Sequence, residues 1–117
     1  MTQEKLAWAA GFFDGEGWSG CYTNPGGSTY LMLAVTQNEE ATLHRFAESV
    51  YGRGRIRGPI KSYRGPNHHF KFEATRFEDV QAIMASMWKY LSAPKRAQFA
   101  EAVKKFRGAS HRRGYVN

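Results

Sequence analysis

The segment TYLMLAVTQ, residues 29–37, constrains the fold more than any other, because its side chains alternate with a period of two. Leu31, Leu33 and Val35 form one apolar row, and a second row begins at Tyr30. Such alternation is typical of a strand that buries one face. The chain must therefore build a sheet that is covered on one side, and the other side is left for water or a partner.

The rest of the chain alternates between helical and strand patterns. Helices are predicted where apolar residues recur every three or four positions, and strands where turn signals bound short runs rich in β-formers. The order is helix, two strands, helix, two strands, helix, helix. The segments are, in turn, residues 3–13, 18–24, 29–37, 38–51, 53–63, 67–76, 77–91 and 94–106. This order predicts an α+β fold in which an antiparallel sheet carries helices on one face. Residues 1–107 form one domain, and we expect the basic tail, 108–117, to be disordered.

Charge divides the chain into an acidic and a basic part. Residues 1–51 contain two Lys or Arg and six Asp or Glu, whereas residues 52–117 contain fifteen and four. A basic region with interspersed aromatic residues is typical of a nucleic-acid-binding protein, although a solvated basic surface has the same composition. No apolar run is long enough to span a bilayer. The single cysteine, Cys21, excludes an intramolecular disulfide and fits an intracellular location.

The uncovered sheet face is the candidate nucleic-acid surface. Six Lys or Arg and no acid lie between Arg53 and Lys71. A ten-residue strand is about 33 Å long, which is close to the length of about 34 Å of one duplex turn. A two-stranded ribbon fits the major groove, where arginine can hydrogen bond guanine. An ordinary polar sheet surface is the alternative. The residues expected on this face are Ser28, Tyr30, Met32, Ala34, Thr36, Arg53, Arg55, Arg57, Lys61, His69, Lys71 and Glu73.

Two acids, Asp14 and Glu16, lie at the end of the first helix, where the helix dipole disfavours carboxylates. They are explained equally well as turn residues or as ligands of a hard divalent cation such as Mg²⁺. A metal beside a basic sheet suggests phosphodiester hydrolysis. Because one carboxylate per chain is too few for a site with two metal ions, we expect a homodimer. Small residues that permit close helix contact lie on the same helix, namely Ala7, Ala10 and Gly11.

The segment AAGFFDGEG, residues 9–17, resembles the motif of the LAGLIDADG homing endonucleases. Three further segments follow in the order and spacing of the single-motif members: VTQ at 35–37, GRGRIR at 52–57 and KRAQ at 95–98. The resemblance spans roughly residues 4–107. It implies an αββαββα fold and a homodimer whose two sheets sit astride double-stranded DNA.

The resemblance also implies roles for individual residues. Glu16 is implied to bind divalent metal, Mg²⁺ or Mn²⁺, through its carboxylate, and Gly15 through its carbonyl oxygen. Gln37 is implied to orient solvent, and Lys95 to stabilise charge on the phosphate. Asp14 is implied to be structural at the dimer interface.

The register of the family implies DNA contacts from Gly20, Tyr22 and Asn24. Relatives often carry a basic residue at the position of Ala41, and Arg45 is the candidate replacement here.

The leading hypothesis is therefore an intracellular endonuclease that cuts both strands of a long, near-palindromic DNA site and acts on no small-molecule substrate. A non-cleaving protein of the same fold, an intron maturase or a regulator, is the second hypothesis. A basic structural or ribosome-associated protein is the third, and it leaves the DGEG turn unexplained. The presence of Glu16, Gln37 and Lys95 favours the enzyme.

Overall fold

Helices and strands follow one another in the order that the sequence predicts. The computed structural model describes residues 2–61 and 67–112, the last three by their backbone only. The elements are α1 (Gln3–Glu16), β1 (Gly17–Thr23), β2 (Thr29–Gln37), α2 (Glu40–Ser49), β3 (Arg55–Lys61), β4 (His68–Ala74), α3 (Phe77–Met87) and α4 (Ala93–Arg112), with a 3₁₀ turn at Trp88–Tyr90. The predicted αββαββα(α) order is confirmed.

The four strands form one antiparallel sheet in the order β1-β2-β4-β3. The central pair, β2 and β4, joins the two hairpins, with Val35 opposite Phe72. The apolar row of β2 is buried, since Leu31, Leu33 and Val35 are each at most 1% exposed. Helices α1, α2 and α3 supply further large core side chains, which include Phe13, Phe46, Leu43, Ile83 and Met87, and β4 adds Phe72. The sheet is therefore covered on the side that the alternation predicts.

The connection between α1 and β1 is direct, with no loop residue between Glu16 and Gly17. The helix ends within the predicted DGEG segment, but Gly17 has φ −90° and does not form a left-handed cap. Its backbone N–H donates to the carbonyl of Phe13, and any Cβ at this position would overlap the Phe13 ring. Glycine is required at position 17 because the buried ring takes the space of a side chain.

The last helix, α4, packs against β1, the outer strand of the sheet. The side-chain Oε1 of Gln98 accepts a hydrogen bond from the Ser19 N–H at 3.1 Å, which satisfies a donor at the sheet edge. The helix continues through Gly108 to Arg112, so the expected disorder is wrong for residues 108–112. Phe99, Val103 and Phe106 anchor it on the core, and a packed helix can extend through one glycine at a cost of about 1 kcal/mol. Residues 113–117 lie outside the described part.

Within residues 2–61 and 67–112, no helix is both long and apolar enough to span a membrane.

Substituting Gly17 tests the contact with Phe13. Gly17→Ala should lower the free energy of unfolding by about 1–3 kcal/mol, because the new methyl group must displace a buried ring. Gly108→Ala is the matched control, since Gly108 lies in a helix and a Cβ there meets nothing within 4 Å. Urea denaturation of both variants measures the difference. Equal stability of the two would contradict the packing role of Gly17.

Candidate nucleic-acid interface and acidic site

The uncovered sheet face carries side chains from all four strands. The register places Tyr22 opposite Tyr30, and Arg57 opposite Lys71. Residues opposite each other in an antiparallel pair point to the same face. The expected row on β2 and the residues Arg55, Arg57 and Lys71 therefore share one face, and β1 adds Gly20 and Tyr22 to it, as the register of the family implies.

This face is concave, with a cavity of about 750 Å³. The half of the cavity on β1 and β2 is aromatic and apolar, and the half on β3 and β4 is charged. The residues that line it are Trp18, Tyr22, Tyr30, Met32, Arg55, Arg57, Lys71, Glu73 and Thr75. The rings of Tyr22 and Tyr30 lie 5.4 Å apart. The cations of such a face can bind phosphates, and its exposed aromatic rings can stack on bases.

Trp18 belongs to this face, which the sequence did not reveal. It lies opposite Ala34 and is 42% exposed. A Cβ at Gly20 would overlap the indole ring, so Trp18 lies across the glycine. Counting back by twos from Tyr22 would have placed Trp18 on this face, but the register of the first strand was not evident.

Two predicted members of the face lie elsewhere. Arg53 precedes β3, and its Nη1 lies 3.4 Å from Asp79 Oδ1 at the start of α3. Lys61 lies opposite His68, whereas Ile60 lies opposite His69, because β3 is irregular between Arg57 and Ile60. The irregularity shifts the alternation by one residue, so Lys61 does not continue the row of Arg55 and Arg57.

The tip of the β1–β2 hairpin holds two more predicted DNA contacts. The Asn24 side-chain oxygen accepts from the Ser28 N–H at 3.0 Å, and the Asn24 N–H donates to the Ser28 carbonyl at 2.9 Å. Asn24 therefore fixes the turn. Ser28 is exposed beside it.

Glu73 is the residue of this face whose role the sequence did not indicate. It is 5% exposed and lies opposite Ala34 on one side and Arg55 on the other. Its carboxylate accepts hydrogen bonds from Arg55 and Arg57 and lies 3.9 Å from the Lys71 ammonium. Burial raises the pKa of Glu73, but the hydrogen bonds and positive charges outweigh burial and hold its pKa below the usual value of 4.5.

The acidic site lies where α1 meets β1. Glu16, the last residue of α1, is exposed, as is Gly15 before it. The ammonium of Lys95 donates a short hydrogen bond to the Gly17 carbonyl and lies 5.7 Å from the Phe13 ring. The structure therefore brings Lys95 next to the residue that follows Glu16. Gln37 ends β2, two residues beyond Val35, which lies opposite Gly17.

Asp14 binds within its own chain. Its carboxylate accepts hydrogen bonds from the Ser92 N–H at 3.1 and 3.2 Å and from the Ser92 hydroxyl at 3.0 Å. These bonds tie α1 to the start of α4, in agreement with an architectural role. They direct the carboxylate to Ser92 and not towards a second subunit.

The predicted small-residue surface of α1 is only partly exposed. Ala7 and Gly11 are exposed, but Ala10 is 0% exposed and belongs to the core, so its assignment to the interface is wrong. The exposed stripe continues instead to Gly15, because residues four apart lie on one helix face.

The proposed replacement for the missing basic residue is also elsewhere. The Arg45 guanidinium lies 3.8 Å from the centre of the Trp8 ring, about two turns of α1 before Glu16. Arg45 therefore packs on the other end of the helix.

The donor set of the acidic site suits a hard cation in kind but is incomplete in number. The Glu16 carboxylate and the Gly15 carbonyl are oxygen donors of the type that Mg²⁺ prefers. In the described part of the chain, no three His, Cys, Asp or Glu side chains cluster closely enough to hold a metal ion. A site here requires further ligands from outside the chain.

The lowered pKa of Glu73 predicts a pH dependence of stability. The carboxylate contributes stabilisation above about pH 4.5, and this contribution is lost as the pH falls through the lower pKa of the folded state. The difference in free energy of unfolding between the native chain and Glu73→Gln should therefore shrink on acidification below pH 4.5. Denaturation at a series of pH values measures this difference. A constant difference between pH 6 and pH 3 would contradict the assignment.

Comparison with known proteins identifies the fold. No protein-family model matches the chain, and no curated protein sequence does. Solved structures do match. One match is the LAGLIDADG meganuclease I-AabMI bound to uncleaved DNA, which is 17% identical with a TM-score of 0.70. The aligned region covers 97% of this chain and 39% of the I-AabMI chain. A second match is the homing endonuclease I-CvuI in complex with its target, which is 24% identical with a TM-score of 0.66. The aligned region covers 84% of this chain and 62% of the I-CvuI chain.

A third structure, the group I intron-encoded homing endonuclease I-CeuI complexed with DNA, is 21% identical with a TM-score of 0.62, covering 92% of this chain and 54% of its own. The chain thus spans 39–62% of the length of these structures. The similarity confirms, at the level of the fold, the resemblance that the sequence motifs indicated. The chain has the fold of the LAGLIDADG homing endonucleases.

Proposed function

We propose that two copies of this chain bind double-stranded DNA across their open sheet faces and hydrolyse one phosphodiester bond in each strand. The site is a long, near-palindromic sequence, since a twofold dimer presents the same surface to both half-sites. The observation that carries this proposal is that the exposed Glu16 directly precedes Gly17, whose carbonyl accepts a hydrogen bond from the Lys95 ammonium, where α1 joins the edge strand of a cationic concave sheet. The structures of similar fold are complexes with DNA.

Divalent metal completes the proposed site. Glu16 and the Gly15 carbonyl would hold Mg²⁺ or Mn²⁺ together with the second copy of Glu16 and DNA phosphates. When bound, a divalent metal would polarise the phosphate and lower the pKa of coordinated water. Two carboxylates brought close together repel, so a bound cation would also stabilise the dimer. The I-CvuI complexes were obtained in the presence of calcium or magnesium.

The chain's own polar residues have separate tasks in this proposal. The Lys95 ammonium is fixed by the Gly17 carbonyl, so it presents positive charge to a phosphate at Glu16 without a large reorganisation. The Gln37 amide can both donate to and accept from a water molecule and thereby orient it. Asp14 holds α1 on Ser92 and so keeps Glu16 in place.

The dimer is proposed to form through the exposed stripe of Ala7, Gly11 and Gly15. A Cβ at Gly11 or Gly15 would meet nothing within 4 Å in the chain, so a second helix can approach the backbone closely there. Glu16 follows Gly15 directly. Contact along this stripe would therefore bring the two copies of Glu16 together.

Cleavage of a randomised duplex library tests the enzymatic proposal. The native chain with Mg²⁺ should cut a subset of duplexes in both strands. Glu16→Gln should reduce the rate by at least about 10²-fold, because the neutral amide is a poor metal ligand.

Glu4→Gln is the matched control, since it removes the same charge from the opposite end of α1. It should cleave like the native chain. Cleavage that is unchanged in Glu16→Gln would contradict the mechanism. Selective binding without cleavage would favour the non-cleaving maturase or regulator.

The oligomeric state tests the interface. Sedimentation equilibrium at micromolar concentration should give a dimer for the native chain and a monomer for Gly11→Leu, because a leucine would hold the two helices apart. Ala100→Leu adds the same side chain at an exposed position of α4 and should remain dimeric. A native monomer, or a Gly11→Leu dimer, would contradict the proposed contact.

A further inference from the structure

A buried acid lies at the centre of the cationic half of the open face. The Glu73 side chain is 6% exposed, whereas the side chains of Arg55 and Arg57 are 71% and 50% exposed. The carboxylate therefore forms the floor of the surface, and the two guanidinium groups extend above it. Lys71 adds a third cation at 3.9 Å.

The hydrogen bonds orient both arginines. Glu73 Oε2 accepts from Arg55 Nε at 3.3 Å and from Arg55 Nη2 at 3.0 Å, and Oε1 accepts from Arg57 Nη1 at 3.2 Å. A guanidinium has five N–H donors in one plane. Glu73 uses two of Arg55 and one of Arg57, so each arginine keeps free donors in an orientation that is already fixed.

Non-specific attraction to DNA does not explain this arrangement. A surface that only neutralises phosphates gains affinity from every added positive charge, and an acid beneath the cations reduces it. Burying a carboxylate also carries a desolvation cost that its partners must offset. What the arrangement provides is orientation, which matters for the paired donors that recognise guanine O6 and N7.

We infer that Glu73 is a specificity-determining residue, which holds Arg55 and Arg57 where they hydrogen bond guanine edges in the major groove and weakens their binding to phosphates of any sequence. The inference rests on the proposed DNA binding and deepens it by naming guanine as the base that the β3–β4 half reads. Glu73 acts through the arginines and contacts no base in this role.

Binding measurements with matched variants test the inference. A duplex selected by the native chain from a randomised library, and a scrambled duplex of the same composition, are titrated at several salt concentrations with EDTA present to prevent cleavage. Glu73→Gln should bind the scrambled duplex more tightly and the selected duplex less tightly. The ratio of the two affinities should fall about tenfold or more, the size expected for the loss of one well-oriented arginine–guanine contact.

Glu78→Gln is the control for charge. Glu78 pairs with Arg76 at 3.5 Å outside the open face, and both side chains are at least 70% exposed. Its removal should change both affinities by the same factor and leave their ratio unchanged. Glu73→Asp keeps the charge but shortens the reach by one methylene group, so it should lower the ratio without tightening non-specific binding. It also serves as the test if Glu73→Gln does not fold.

Replacing guanine by 7-deazaguanine in the selected duplex identifies the base contact. The native chain should lose affinity about tenfold at the positions read by the arginines, and Glu73→Gln should lose less. A lower melting temperature with an unchanged affinity ratio would show that Glu73 is only structural. Native binding that is insensitive to 7-deazaguanine would also overturn the inference. A native chain that selects no duplex would overturn the proposed function as well.

Discussion

The contact between the Phe13 ring and Gly17 is the constraint on which the rest of the structure depends. The ring is fully buried and occupies the space where any other residue would place its Cβ. Because of this, α1 passes into β1 without a loop, and β1 begins at the position opposite Val35. The same turn exposes Glu16 and presents the Gly17 carbonyl to Lys95. One packing contact thus sets both the register of the sheet and the geometry of the acidic site.

Two long-range hydrogen bonds stabilise this turn from the other end of the chain. Ser92, just before α4, donates to Asp14, and Gln98 accepts from Ser19. Both partners belong to or flank α4, which therefore fastens the end of α1 and the outer edge of β1 together. The proposed catalytic lysine lies between them at position 95, so the residues that hold the turn also hold Lys95 against it.

The open face is held together by different interactions from those of the core. Its side chains are mostly charged or aromatic, and its arginines are oriented by hydrogen bonds to one buried carboxylate, that of Glu73. The pKa of Glu73 stays below its usual value because the surrounding cations outweigh burial. Both exposed arginines of the face are therefore held by hydrogen bonds to the same carboxylate.

The sequence by itself determined the order of elements, the buried row of β2 and the identity of the open face, because these depend on local periodicity. It also indicated Glu16 and Lys95 through the family motif. Only the tertiary structure decided which side of α1 is free, since Ala7 and Ala10 are the same residue type and yet Ala7 is exposed and Ala10 is buried. It likewise removed Arg53 and Lys61 from the face and placed Trp18 on it. It also buried Glu73, which was expected on this face, beneath Arg55 and Arg57. These outcomes depend on non-local interactions, so no pattern in adjacent residues encodes them. Arg53 pairs with a distant helix, an irregularity of β3 shifts Lys61, and neighbouring cations cover Glu73.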